Sequence, residues 1–169
     1  MVSNTFTYKI IEQTRFTLVG VRGNQDTQNA MSEKIRKNYS KIKDPLIPYS
    51  CQVVWSIDHK QGRYDTFLGF VVQSIKDVEE AFDVCKLPSN DYAVFEFSGK
   101  VDAFIQFLES IYSQWLPNSR FVHHPQDCTH LHFSKQEHKA VNSEDSKEEP
   151  TNSWEIWVPI KNPKKSIKG

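Results

Sequence analysis

Twice along this chain a strand-like run leads into an amphipathic helical stripe and is followed by two more strand-like runs, an order that few folds accommodate. In the first pass Tyr8 to Gln13 reads as strand, and Phe16 to Arg22 extends it. Gly23 to Asp26 has turn chemistry. Ala30, Met31, Ile35, Tyr39 and Ile42 then recur at steps of mostly three and four. That spacing predicts a helix from Thr27 to about Ile42, capped by Asp26 or Thr27. Cys51 to Ile57 alternates, with Cys51, Val53, Trp55 and Ile57 on one face. Across a polar turn it predicts a hairpin with Arg63 to Gln73.

In the second pass Tyr92 to Phe97 is a strand stopped by Ser98-Gly99. Val101, Phe104, Ile105, Leu108, Ile111, Tyr112 and Trp115 stripe a helix over 101–115, which Pro117 ends. Phe104, Ile105, Leu108 and Ile111 read as core, and Trp115 as a packing residue at the helix end. Cys128 to Ser134 and Trp154 to Lys161 are the last two strands. Pro159 donates no ladder bond, so it is expected at an edge or a strand end. Ser74 to Val84, between the passes, fits a short helix or an irregular crossing. Hairpins and lone helices predict an α+β domain, an antiparallel sheet with helices packed on it.

With 169 residues the chain fits one domain over 1–169, in halves of about 1–74 and 75–169. A polar loop over 135–152 lacks the apolar area to pack. The 21 basic and 21 acidic residues cancel, which argues against broad attraction to nucleic acid. The basic run Lys161, Lys164, Lys165, Lys168 reads as a solvated tail. No stretch reaches the ~20 apolar residues that cross a bilayer, and Met1 to Thr5 is no signal peptide. Cys51, Cys85 and Cys128 are odd in number and unpaired in spacing, as for reduced thiols in a cytoplasmic protein.

Glu155 is the sharpest feature. It lies in an apolar strand, and alternation sets Glu155, Trp157 and Pro159 on one face and Trp154, Ile156, Val158 and Ile160 on the other. A carboxylate beside a tryptophan is costly if buried alone, and tolerable if a cation arrives or water reaches it. From the residues alone it is a pocket group, an exposed strand residue, or the partner of a Lys or Arg on a neighbouring strand. Seven aromatics accompany it: Tyr39, Tyr49, Trp55, Phe67, Tyr92, Phe133 and Trp157. Aromatic faces attract organic cations and bury flat surfaces without strict geometry, while each ring taken singly also suits plain core packing. Cys128, His130 and His132, at spacings of two, would share a strand face near His123 and His124. No paired ligand motif supports a metal there, and exposed histidines on an edge strand are the plainer account. No nucleophile elbow or phosphate loop occurs, so the expectation is no cofactor, no metal and no enzyme.

Five segments together resemble the GyrI-like family, the bacterial effector-binding domain. They are Tyr8 to Glu12 with Leu18 to Arg22, Phe67 to Val72, Tyr92 to Gly99, Ile111 to Pro117, and Trp154 to Lys161. The resemblance implies two strand-helix-strand-strand repeats with pseudo-twofold symmetry. It implies a multidrug-type sensor linked to transcriptional regulation, with lipophilic cationic aromatic ligands as partners. The Glu155 position matches the family's pocket glutamate, which faces such ligands. The segment Cys128 to Phe133 departs from the family's usual Glu and Tyr. No helix-turn-helix precedes the domain, so direct nucleic-acid binding is not expected. Two alternatives follow from relatives: a DNA gyrase-interacting inhibitor, hinted at only by acidic Glu144, Asp145, Glu148 and Glu149, and a small-molecule hydrolase using Glu155 as general base.

Overall fold

A computed structural model describes residues 6–43, 45–58, 60–76, 78–124, 128–135 and 152–161. The strands are β1 (Tyr8–Gln13), β2 (Phe16–Asn24), β3 (Cys51–Asp58), β4 (Arg63–Val72), β5 (Asp83–Leu87), β6 (Asn90–Gly99), β7 (Val122–His123), β8 (His130–Ser134) and β9 (Asn152–Lys161). Helix α1 is Gln28–Asn38, tightened at its end into a 3₁₀ turn, Tyr39–Lys41. Helix α2 is Val101–Ser110, and a wide π-type turn, Ile111–Trp115, continues it.

Local chemistry accounts for several boundaries. Asn24 Oδ1 accepts from the Asp26 N–H, turning the chain between β2 and α1. In the β3–β4 hairpin Asp58 Oδ1 accepts from the N–H groups of Lys60 and Gln61, and Gly62 takes a φ of 66°. The helix after β6 outlasts its expected end. A further turn, Leu116–Asn118, includes Pro117, just after the wide turn whose last bond runs from the Leu116 N–H to the Ile111 carbonyl.

The sheet is antiparallel in the order β1-β6-β9-β8-β3-β4-β2-β5, with β7 beside the end of β9. The order reads alike from either border: an outer strand, then the strand before the helix, then a hairpin. Each outer strand is exchanged, so that β1 pairs with β6 and β5 with β2. The Phe16 run is therefore no extension of β1. Residues 14–15 and 88–89 each carry the chain from one border of the sheet to the other. Links that short require the borders to approach one another. Ring contact says the same: Phe16 on β2 and Trp157 on β9 are four strands apart, about 19 Å in a flat sheet. Their centroids are 6.3 Å apart, so the sheet curls into a trough filled by its own side chains.

Both helices cover the outer, convex face. Met31 and Ile35 of α1 pack with Val19, Val21, Phe70 and Val72. Phe104, Ile111 and Trp115 pack with Ala93, Phe95, Ile156, Val158 and Ile160. Ile105, expected in the core, is 50% exposed, because the stripe of α2 is narrower than its apolar residues. Gly20 and Gly69 face each other across β2 and β4. A Cβ on Gly20 would strike the Leu68 carbonyl oxygen and the Gly69 Cα, and one on Gly69 the Val19 carbonyl oxygen and the Gly20 Cα. Bare backbone on both strands makes this close approach possible.

Of the two alternatives for Ser74 to Val84, its described residues follow the irregular crossing as far as Phe82, and the chain becomes β5 at Asp83. Two other expectations change. Pro159 lies inside β9, between β6 and the opposite side where β8 gives way to β7. That break accommodates the missing donor, and the Pro159 carbonyl accepts from the His124 N–H. The strand after the helix begins at His130, in mid-sheet rather than at an edge. Of the polar loop over 135–152 only Lys135 and Asn152 lie among the described residues; its acidic cluster and the basic tail beyond Lys161 lie outside them.

Candidate ligand-binding face

The inner, concave face carries no helix and is lined by side chains. Alternation brings Phe16 and Leu18 of β2, Val53 of β3, Phe67 and Val71 of β4, Tyr92 and Val94 of β6, Leu131 and Phe133 of β8, and Trp157 of β9 into one cluster. Trp157 is its hub, with ring centroids at 5.3 Å to Phe133, 5.4 Å to Tyr92 and 6.3 Å to Phe16. Trp55 packs against its margin. The Arg22 guanidinium lies 5.5 Å from the centre of the Phe67 ring, the geometry of a cation over an aromatic face. Cys51, Cys85 and Cys128 are buried in the same cluster. Burial pushes the Cys51 thiol well above its ordinary range and raises that of Cys85, so these thiols act as small apolar groups.

At one end three adjacent strands turn from apolar to charged. On β6 the inward series is Tyr92, Val94, Glu96; on β9 it is Trp157, Glu155; past β8, Phe133 is followed by Lys135. Glu96 and Glu155 are direct cross-strand partners. The Lys135 ammonium bridges them, at 3.0 Å from Glu96 Oε1 and 3.2 Å from Glu155 Oε2. The Trp157 indole N–H donates to Glu155 Oε1 at 2.7 Å. The Glu155 side chain is 16% exposed, against 70% for Glu96 and 33% for Lys135. The Lys135 hydrogen bond holds the Glu96 carboxyl below its usual range, and the same bond raises the Lys135 pKa.

Of the eight residues singled out in the sequence, Phe67, Tyr92, Phe133 and Trp157 meet in the concave cluster, with Trp55 at its margin and Glu155 at its charged end. Tyr39 does not join them. It follows α1 on the convex face, its ring 5.1 Å from Phe70, because the helix stripe that includes it packs on the sheet's outer side. Tyr49 is half-buried in the loop before β3 and belongs to none of the three apolar clusters. That loop reaches the charged end, where the Ser134 N–H donates to the Ser50 carbonyl. Phe16, Glu96 and Lys135 escaped the sequence reading. Phe16 shares its parity with Leu18, and Glu96 and Lys135 each stand two residues beyond an inward apolar residue. The signal lay in the alternation, but which parity points inward depends on the curl.

Cys128, His130 and His132 do not share a face. Cys128 precedes the strand and joins the concave cluster, whereas His130 and His132 point outward beneath α2. Their rings stack at 5.6 Å, His132 lies 5.1 Å from Phe104, and neither Nδ1 has a hydrogen-bond partner. Burial pushes the His130 pKa down to about 3 and that of His132 to about 4. The Thr129 carbonyl accepts from the Tyr112 hydroxyl and from His123 Nε2, each at 2.8 Å, which places the His123 proton on Nε2. Among the described residues no three His, Cys, Asp or Glu side chains are grouped so as to hold a metal ion. No described helix is long and apolar enough to cross a membrane.

A comparison with curated protein sequences finds no match. Solved structures share the fold. SAV2435 bound to tetraphenylphosphonium superposes with a TM-score of 0.63 at 17% identity, over 92% of this chain and 94% of that one. The EcmrR C-terminal domain gives 0.66 at 13% identity, over 93% and 98%. A hydrolase from Listeria innocua gives 0.53 at 9% identity, over 91% of each chain. The family model for integron-associated effector binding proteins matches residues 9–160, nearly the whole of the sheet and both helices. The chain therefore belongs to that family of GyrI-like effector-binding domains.

Proposed function

We propose that the concave face binds lipophilic aromatic small molecules, prefers those carrying a positive charge, and reads that charge with Glu155. One arrangement carries the reading: an aromatic cluster centred on Trp157 ends in a mostly buried carboxylate held by the same tryptophan. Flat rings supply area without strict geometry, and an anion in a partly desolvated setting favours a cation over its neutral isostere. Tetraphenylphosphonium bound to SAV2435, a protein of the same fold, has this chemistry. The cytoplasm and a role in drug sensing or transcriptional regulation belong to the same proposal.

The test is a tryptophan-fluorescence titration with tetraphenylphosphonium and with neutral triphenylphosphine oxide. Glu155→Gln is expected to weaken the cation roughly tenfold and leave the neutral compound unchanged. Equal losses for both compounds would remove Glu155 as the charge reader.

Hydrolysis is a second reading, favoured by the Listeria innocua hydrolase of the same fold. Here Glu155 already accepts from an indole and pairs with an ammonium, which leaves it poorly placed to take a proton from water. Recovery of the bound compound chemically unchanged after long incubation supports binding over turnover.

A further inference from the structure

Lys135 occupies the position that a ligand's charge would take. Its ammonium lies within 3.2 Å of Glu155 and also contacts Glu96, directly above the aromatic cluster. We infer that Lys135 is a built-in competitor, a tethered cation that a charged ligand must displace to reach Glu155. The inference rests on the proposed reading of the concave face and adds the residue that sets its threshold.

Three observations support this role. First, Glu96 and Glu155 face each other across β6 and β9, and like charges so placed repel. A cation between them is therefore favoured whether or not ligand is present, and Lys135 supplies it in this structure. Second, the two carboxylates differ in their surroundings. Glu96 is mostly exposed and its pairing with Lys135 is screened by water, while Glu155 is mostly buried and additionally fixed by Trp157. Lys135 can retreat to Glu96 or to water while Glu155 stays in place. Third, Lys135 is one-third exposed on a flexible four-carbon stem, so it exchanges for another cation without rearrangement of the sheet.

The consequence is selective. A cation exchanges one charge for another at Glu155 and gives up part of its gain in displacing the lysine. A neutral aromatic molecule that stops short of Glu155 displaces nothing. Lys135 thus suppresses binding of cations specifically, and a ligand that overcomes it must combine charge with enough apolar area to pack against the cluster.

The experiment titrates tetraphenylphosphonium and triphenylphosphine oxide into the wild type, Lys135→Met and Lys135→Arg. Lys135→Met is expected to bind the phosphonium about tenfold more tightly, as loss of a competing charged hydrogen bond predicts, with the neutral oxide unchanged and Lys135→Arg close to wild type. Should the unscreened carboxylates unfold Lys135→Met, Glu96→Gln/Lys135→Met relieves their repulsion and is expected to show the same gain. Phosphonium binding that is unchanged or weaker in Lys135→Met, with wild type still binding, overturns the inference and leaves the ligand reading intact. A gain of equal size for the neutral oxide also overturns it, since the lysine would then be acting as a steric plug. Phosphonium binding to none of the proteins removes the inference and the proposed function together.

Discussion

Trp157 joins two chemistries in one side chain. Its ring contacts Phe16, Tyr92 and Phe133, and its N–H holds Glu155. Trp157→Phe separates them, keeping a ring and removing the donor. We expect a stability loss of roughly 1–3 kcal/mol from the smaller ring, read by urea denaturation. Phosphonium affinity is expected to fall several-fold further than that for the neutral oxide, because Glu155 loses the bond that orients it. Parallel losses for the two compounds would mean that the indole N–H contributes nothing to charge recognition. Glu155 also shows how far one residue is legible in a sequence. Its parity with Trp157 was plain from strand alternation, and pairing with a lysine was among the open alternatives. That the lysine is Lys135 was not readable, since it sits at the head of a run of polar residues and only the β8–β9 register brings it across.

Among the elements, those with strong periodicity were legible and those set by the curl were not. The hairpin of β3 and β4, the helices α1 and α2, and strands β6 and β9 stand close to where alternation and the helical stripe put them. Strand β5 was missed because its five residues, Asp83 to Leu87, are too few to establish a pattern and include two charges. Tyr39 was drawn into the candidate site by its chemistry, while its helix stripe belonged to the other face. The Gly20–Gly69 pair is a demand of the elements that no composition count reveals. Gly20→Ala is expected to cost about 3 kcal/mol, because the new methyl meets backbone that no rotamer change can clear. Gly62→Ala, whose Cβ meets open space, has only its positive φ to oppose it and is expected to cost about 1 kcal/mol. Chemical denaturation of the two variants side by side checks the ranking, and a milder effect at Gly20 would show that the strands can part there.

At the scale of the molecule, acid should loosen the half that α2 covers. Burial keeps His130 and His132 neutral down to about pH 3 and 4, while in the unfolded chain they titrate near 6.5. Between those limits the unfolded state binds more protons, so the contribution is full above about pH 6.5 and is lost as pH falls toward 4. The slope for a buried histidine such as His130 is at most about 1.4 kcal/mol per pH unit. Urea unfolding at pH 7 and pH 4.5 is expected to show a smaller loss in His130→Gln/His132→Gln than in wild type; identical losses would place the acid sensitivity elsewhere. The exchanged outer strands have a different consequence, which concerns synthesis. Strand β1 is made first, yet Tyr8 finds its partner only at Phe95, and Phe16 waits for Leu87. A ribosome that has delivered β1 through β4 has delivered no neighbour for β1 and none for the free side of β2. The nascent chain therefore holds open edges on three strands, β1, β2 and β3, the last waiting for β8, until its second half emerges. Folding to the closed trough is a late event in translation, and a pause after β4 is when this chain is most exposed to chaperones and to pairing with its own copies.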